Sequence, residues 1–205
     1  MKIDDIVKIS KGLKPKAIGI NRKYSIFIPF IEVDGDLHLL FEVRSKDLRS
    51  QPGDICYPGG KVEENEGPLL AAVRETKEEL NLSDKQIEII TAFDYLVSPY
   101  GSIIHTNIGF IKEDVENIKP NKAEVDHIFT VPFDYFIDHE PQIYTVKFDA
   151  NRDTDFPYDL IENGKNYKFK QSKDKVMFYL YKDRVIWGFT AKMTNNLVKR
   201  IVNNL

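Results

Sequence analysis

The sequence predicts an α/β chain of the α+β kind, with a mixed β-sheet sandwiched between α-helices. Three observations carry that expectation. Residues 69–80 are strong helix formers, with Pro68 before them and Asn81 after. The last stretch, 189–205, places Phe189, Met193, Leu197, Ile201 and Leu205 at a spacing of four with Val198 and Val202 beside them, the pattern of a helix packing one face on a sheet. Strand-like segments lie on both sides of the first of these helices. The 205 residues, 42% hydrophobic, suit one domain over 1–205 with a sizeable core.

Taken in order, residues 1–10 read as a short amphipathic helix using Ile3, Ile6 and Val7, and 11–23 as a basic loop. Residues 24–33 and 37–43 are strand-like and joined by Asp34-Gly35-Asp36, a strong hairpin signal. Pro29 interrupts the first of them, which points to an edge position or a bulge. A polar loop over 45–53 leads to a short strand at 54–57 and then to Pro58-Gly59-Gly60. Pro68 suits the first helical position, and Asn81 the left-handed position that ends the helix. Leu69, Ala72, Val73, Thr76 and Leu80 then form its buried side.

Strands are expected at 86–98, 103–112, 125–131, 142–148 and 176–182, with a short helix starting at 132–136. The segment 149–175 is long and charged enough to be an inserted functional loop.

Composition excludes several classes. Twenty-nine Lys and Arg against 32 Asp and Glu give a net charge of −3, without the basic signature of a nucleic-acid binder. No run of about 18 apolar residues is present, so no membrane span is expected. Residues 1–5 lack the basic and apolar regions of a signal peptide. Cys56 is the only cysteine, which excludes an internal disulfide framework and fits a reducing cytoplasm. The expectation is a cytoplasmic protein acting on a small molecule, with no nucleic-acid or membrane partner. The N-terminal helix and 149–175 are the surfaces on which a homodimer would form. His38, His105, His127 and His139 are scattered without metal spacing, so zinc is not expected.

The chemistry concentrates in the first long helix. Glu75, Glu78 and Glu79 stand at i, i+3 and i+4 on one helix face, where like charges repel by roughly 0.2–0.5 kcal/mol per pair. Stability alone does not select such a cluster, whereas three converging carboxylates suit a hard divalent cation such as Mg²⁺ or Mn²⁺. The residues around them complete a longer pattern: Gly60, five residues, Glu66, seven residues, then Arg74-Glu75-Thr76-Lys77-Glu78-Glu79-Leu80-Asn81-Leu82. This resembles the Nudix hydrolase box over 60–82, Gly-x5-Glu-x7-Arg-Glu-U-x-Glu-Glu-x-Gly-U, where U is a bulky aliphatic. It departs from the box at Thr76 and Asn81, neither of which carries chemistry.

The resemblance implies a Nudix fold, with a loop-helix-loop metal site that hydrolyses a diphosphate linked to another group. It implies that Glu75, Glu78 and Glu79, with the Gly60 carbonyl, hold Mg²⁺ or Mn²⁺, and that Glu66 and Arg74 form a structural ion pair. The general base is Glu78, Glu79 or a carboxylate from a later loop, for which Glu124 is the candidate and Asp126 the alternative.

Upstream, Arg44-Ser45, Arg49, Gly53 and Tyr57-Pro58-Gly59-Gly60 are spaced as in the coenzyme A diphosphatase branch of that family, with Tyr57 where phenylalanine is usual. Ile186-Trp187-Gly188-Phe189-Thr190-Ala191 is similar to a second stretch of the branch. The resemblance implies hydrolysis of coenzyme A or acyl-coenzyme A to 3′,5′-ADP and (acyl-)4′-phosphopantetheine. Arg44, Arg49, Gly59 and Gly60 would contact the substrate, since guanidinium forks grip phosphate bidentately. The alternatives are a Nudix pyrophosphatase acting on ADP-ribose, NADH or a nucleoside triphosphate, and a non-catalytic ligand-sensing module of the same fold. Cys56 beside a metal site also keeps the isopentenyl diphosphate isomerases, which share the fold, as a rival, although it reads first as a small buried apolar residue. Trp187, Phe178, Tyr179 and Tyr181 read as core packing rather than as a stacking platform.

Overall fold

The computed structural model describes residues 2–204. The chain runs α1 (Ile3–Lys11), β1 (Arg22–Val33), β2 (Asp36–Arg44), β3 (Ile55–Cys56), β4 (Gly59–Lys61), α2 (Pro68–Leu80), β5 (Ile87–Ala92), β6 (Leu96–Ser98) and β7 (Ser102–Ile111). It continues through β8 (Val125–Pro132), α3 (Phe133–Asp138), β9 (Gln142–Phe148), β10 (Ser172–Tyr181), β11 (Arg184–Trp187) and α4 (Gly188–Val202). Strands β1–β8 form one mixed sheet, with β1 and β7 parallel and the other pairs antiparallel. Strands β9–β11 form a second, antiparallel sheet. The expected sheet at 86–98 is broken into β5 and β6, both on β7.

The main sheet buries both faces. On one side Phe27, Ile31 and Leu40 pack against Ala72 and Leu80 of α2. On the other, Ile28, Phe30, Leu39 and Phe41 meet α3, α4 and the small sheet through Phe136, Leu197 and Tyr179. The helical stripe at the chain end therefore does what its spacing predicts, with Leu197 fully buried; Leu205 lies outside the described residues. On α2 the expected side is displaced by a fraction of a turn. Ala71, Ala72, Thr76 and Leu80 are buried together with Glu79, while Leu69 is exposed. No helix among the described residues is long and apolar enough to cross a membrane.

The β1–β2 hairpin forms as expected, with Val33 opposite Asp36 across a two-residue turn. Its arms then part. Beyond the Phe30–Leu39 pair, β1 turns to β4 through Ser25–Gly60 and Ile26–Gly59, and β2 turns to β3 through Glu42–Cys56 and Val43–Ile55. The segment 55–61 is thus a wedge between the two arms, held at its crossing by the Phe27 N–H donating to the Pro58 carbonyl at 2.9 Å.

The opening of the hairpin corrects the reading of Pro29. The residue sits in a central strand, opposite Gly109 of β7, not at an edge. Its missing N–H faces the same side as that of Phe27, where β1 has left β4 and has not yet met β2, so no ladder bond is lost.

Helix α1 forms but buries no residue, and Ile3 and Ile9 remain exposed. Of the segment 149–175, residues 172–175 already belong to β10. The remainder folds around Arg152, whose guanidinium lies 3.6 Å from the centre of the Phe169 ring.

The wedge is tied to α4 by a buried pair. The Tyr57 hydroxyl lies 2.7 Å from Thr194 Oγ1, and the Thr194 hydroxyl donates to the Thr190 carbonyl at 2.8 Å, which leaves Tyr57 as the donor to Thr194. Tyr57→Phe removes one buried hydrogen bond and should cost about 1 kcal/mol, lowering the melting temperature by roughly 2–4 °C in a chain of this size. An unchanged melting temperature would show that the tie contributes nothing.

Candidate active site

The wedge and α2 meet at two glycines. At Gly59, with φ at +150°, a Cβ would stand 2.6 Å from the Ile26 Cα and would also collide with the Ser25 carbonyl. At Gly60 it would run into the Glu75 carboxylate, with Oε2 only 2.7 Å away. Only glycine lets the strand lie this close to both β1 and the helix. The gain is a direct bond between them: the Gly59 N–H donates to Glu79 Oε2 at 2.8 Å. Pro68 at the first helical position and Asn81 in the left-handed conformation, φ +52°, end the helix as the sequence predicts.

Arg74 fastens the loop 61–67 to the helix. Its Nε and Nη2 donate to the two oxygens of Glu66 at 3.0 and 3.1 Å, and Nη2 also reaches the Lys61 carbonyl at 3.2 Å. The ion pair brings the Glu66 carboxyl below its ordinary pKa. The same guanidinium lies 3.0 Å from Glu75 Oε1 and 3.2 Å from Glu78 Oε2. The three box glutamates therefore have different surroundings. Glu78 is exposed, Glu75 is half-buried against Gly60, and Glu79 is 5% exposed under the wedge.

A fourth carboxylate joins them. Glu42, on β2 and 1% exposed, lies opposite Cys56, whose thiol donates to Glu42 Oε1 at 3.3 Å. Burial raises the Glu79 carboxyl to about 9, with the Glu42 charge as the next cause, and raises Glu42 to about 7 against the help of the Cys56 thiol and Arg44. Burial also raises Glu75. Glu124 stands close enough for its charge to push up Glu42, Glu75 and Glu79 alike. Its carbonyl accepts from the Ser45 N–H at 2.8 Å, which fixes the loop before β8 to the end of β2. Asp126, the alternative, is instead paired with His127 Nδ1 at 2.8 Å. The thiol of Cys56 is pushed well above its ordinary range by burial and then by Glu42, which removes the thiolate that a nucleophile or soft ligand needs.

This donor set fits a hard divalent cation. It consists of carboxylate oxygens and a backbone carbonyl, and it contains a buried oxygen, Glu42 Oε2, with no hydrogen-bond donor. Among the described residues no three His, Cys, Asp or Glu side chains converge on one point, and Arg74 pairs with Glu75 and Glu78.

From the glycine pair a cleft of about 730 Å³ runs outward between the main sheet and the small one. Its walls carry Arg22, Arg44 and Lys175 as cations, the Lys192–Asp174 ion pair at 2.6 Å, the carboxylate of Asp54, and Tyr100, Phe148, Trp187 and Phe189 as apolar surface. Arg44 lines it, with Nε buried and unpartnered. Arg49 is exposed and does not line it. Trp187, read as core, is 44% exposed, stacks on Phe178 at 5.9 Å and faces the cleft; Tyr179 is core as read. Sequence reasoning passes over Glu42. The one available signal is a glutamate alternating with core residues, since Leu40 and Glu42 share a strand face.

The buried carboxylates set a pH dependence. Groups whose pKa is raised in the folded state contribute stability below their unfolded value of 4.5, and that stability is lost as pH rises through the folded values of about 7 and 9. The metal-free protein should therefore melt several degrees lower at pH 9 than at pH 5, and Mg²⁺ or Mn²⁺ should restore most of the loss at the upper end. Thermal melts with and without EDTA test this; a melting point that rises with pH in EDTA would contradict it.

The NUDIX domain model matches residues 22–149. A mouse protein named peroxisomal coenzyme A diphosphatase NUDT7 is 32% identical over 162 residues, 76% of this chain and 67% of its own length. Nudix hydrolase 3 of Caenorhabditis elegans is 30% identical over 176 residues, 84% of this chain and 70% of its own. A human protein named mitochondrial coenzyme A diphosphatase NUDT8 is 28% identical over 124 residues, 59% of this chain and 52% of its own. In fold, the chain is similar to a MutT/nudix family protein of known structure from Enterococcus faecalis, with a TM-score of 0.50, 13% identity, and coverage of 99% of this chain and 70% of that one. The glycine pair, the Glu66–Arg74 clasp and the glutamate helix all lie within the matched region, and the chain belongs to the Nudix family of hydrolases that act on pyrophosphate bonds.

Proposed function

We propose that the chain hydrolyses the diphosphate of coenzyme A or an acyl-coenzyme A, giving 3′,5′-ADP and (acyl-)4′-phosphopantetheine. The observation that carries this reading is the cleft that begins at the glutamate-faced glycine pair, where Arg22, Arg44 and Lys175 outnumber the one carboxylate, Asp54, that has no cation paired to it among the described residues. Its size is that of a small-molecule site. Coenzyme A presents a diphosphate and a ribose 3′-phosphate, which is more anionic charge than the diphosphate of ADP-ribose alone. Two relatives whose names include coenzyme A diphosphatase support the same direction.

In this reading Glu75, Glu78 and Glu79, with the Gly60 carbonyl, hold Mg²⁺ or Mn²⁺. The metal supplies charge neutralisation on the diphosphate and a lowered pKa for a water. The chain's own residues do the rest. Glu124, from the loop before β8, takes a proton from the attacking water in this reading as the water adds to one phosphorus. The other phosphate departs with the bridging oxygen, so the severed diphosphate leaves one phosphate monoester on each product, and the adenosine product keeps its 3′-phosphate as well. Arg44, half-buried with its Nη2 donating to the Ser50 carbonyl at 3.4 Å, grips a phosphate oxygen in this reading. Gly59 and Gly60 let the diphosphate approach the backbone closely, and Trp187 offers a flat apolar wall.

The test is turnover of a panel with Mg²⁺ or Mn²⁺: coenzyme A, dephospho-coenzyme A, ADP-ribose and NADH. Coenzyme A should be cleaved with the highest kcat/KM, and release of 4′-phosphopantetheine from none of the metal conditions would remove the reading. Glu79→Gln should lower kcat at least about 100-fold, the effect of losing several kcal/mol of charge stabilisation. Arg44→Ala should lower kcat/KM for coenzyme A by roughly 10- to 100-fold, as expected for a charge-assisted hydrogen bond. Equal losses on substrates with and without the 3′-phosphate would place Arg44 on the diphosphate instead.

A further inference from the structure

Glu42 lies outside the box, on the sheet rather than on the helix, and the hydrolytic reading makes no use of it. Its environment is unusual for a strand residue. It is 1% exposed, its Oε1 accepts from the Cys56 thiol, and its Oε2 has no partner. A buried carboxylate oxygen left without a donor is costly, and native structures keep few of them.

Two simple remedies are on hand and neither is used. Arg44 stands two residues along the same strand face, yet no ion pair within 4 Å joins it to Glu42 among the described residues, and the Nε of Arg44 is itself unpartnered and buried. Glu79, the neighbouring carboxylate, gives its Oε2 to the Gly59 N–H and makes no hydrogen bond to Glu42. A bridging water would satisfy the free oxygen but would leave a negative charge buried beside Glu79, Glu75 and Glu124. A divalent cation removes all three penalties together: the unpartnered oxygen, the buried charge and the mutual repulsion.

We infer that Glu42 is a further ligand of the metal centre, contributed by β2, with Oε2 as the ligating atom. The inference rests on the proposal that Glu75, Glu78 and Glu79 hold Mg²⁺ or Mn²⁺. The β2 ladder fixes the Glu42 backbone between Ile128 of β8 and Cys56 of β3, so this ligand stands in place before the ion arrives. Glu75 and Glu78, by contrast, are paired with Arg74.

The experiment is Mn²⁺ binding to the full chain without substrate, by titration calorimetry and by water-proton relaxation of the bound ion. Glu42→Gln should weaken Mn²⁺ binding tenfold or more. The ion that still binds should carry about one more exchangeable water, since a protein ligand has left its coordination sphere. The melting temperature of the metal-free variant should stay level or rise, because one buried charge is gone. Should the glutamine variant fail to fold, Glu42→Asp keeps the charge but withdraws it by one methylene, and it should show the same two changes.

Mn²⁺ affinity within twofold of the parent would overturn the inference. So would weakened affinity with an unchanged water count, which would make Glu42 a positioning group. Glu79→Gln run in parallel separates the two levels. If it also leaves Mn²⁺ binding unchanged, the metal centre itself is misplaced; if it weakens binding while Glu42→Gln does not, only the role of Glu42 falls.

Discussion

The site depends on the parting of the β1–β2 hairpin around residues 55–61. A regular hairpin would fill its own ladder and leave no place for Gly59 beneath α2. Because the arms separate after the Phe30–Leu39 pair, the wedge completes both ladders and delivers a backbone N–H to the Glu79 carboxylate. That one bond joins the sheet, the wedge and the helix at the point where the chemistry is placed. Pro29, at the parting, and the two glycines, at the contact, are the residues that permit it.

Around this bond the chain concentrates negative charge in a way that folding alone would avoid. Glu42 and Glu79 are buried next to each other, and Glu75 and Glu124 add to the field. Arg74 balances the outer part, by clasping Glu66 and the two outer glutamates, but it does not reach the inner pair. The arrangement is locally unfavourable and globally supported, which is characteristic of groups held ready for a ligand. Arg22, Arg44 and Lys175 line the cleft that opens beyond it. Three tasks are thus separate in the proposed reading: Glu66 and Arg74 shape the loop, the carboxylates would receive a cation, and the cleft would receive the rest of the substrate.

Much of this was legible in the residues, where the signal was local. The helix over Pro68–Leu80, its two ends, the hairpin turn and the terminal helix follow from spacing and from residues with special backbone preferences. The nearness of Glu124 to the cluster follows from its place before β8. What was not legible arises from contacts between distant segments. Glu42 looks like any polar residue in a strand until β3 and α2 cover it. Pro29 signals an edge because a proline cannot donate to a neighbour, and no local pattern shows that the neighbour is missing at that position. Leu69 and Ala71 exchange places because the helix rotates to bury Glu79. Trp187 carries the composition of a core residue, yet the small sheet turns it to the cleft, and the exposure of Arg49 is decided by a loop without periodicity.

The central claim is that the buried carboxylates beneath the glycine pair form a divalent metal centre. Anomalous scattering from crystals grown with Mn²⁺ tests it most directly. A peak among Glu75, Glu78, Glu79 and the Gly60 carbonyl, with Glu42 beside it, is expected. Mn²⁺ peaks elsewhere on the chain, with none at this position, would contradict it.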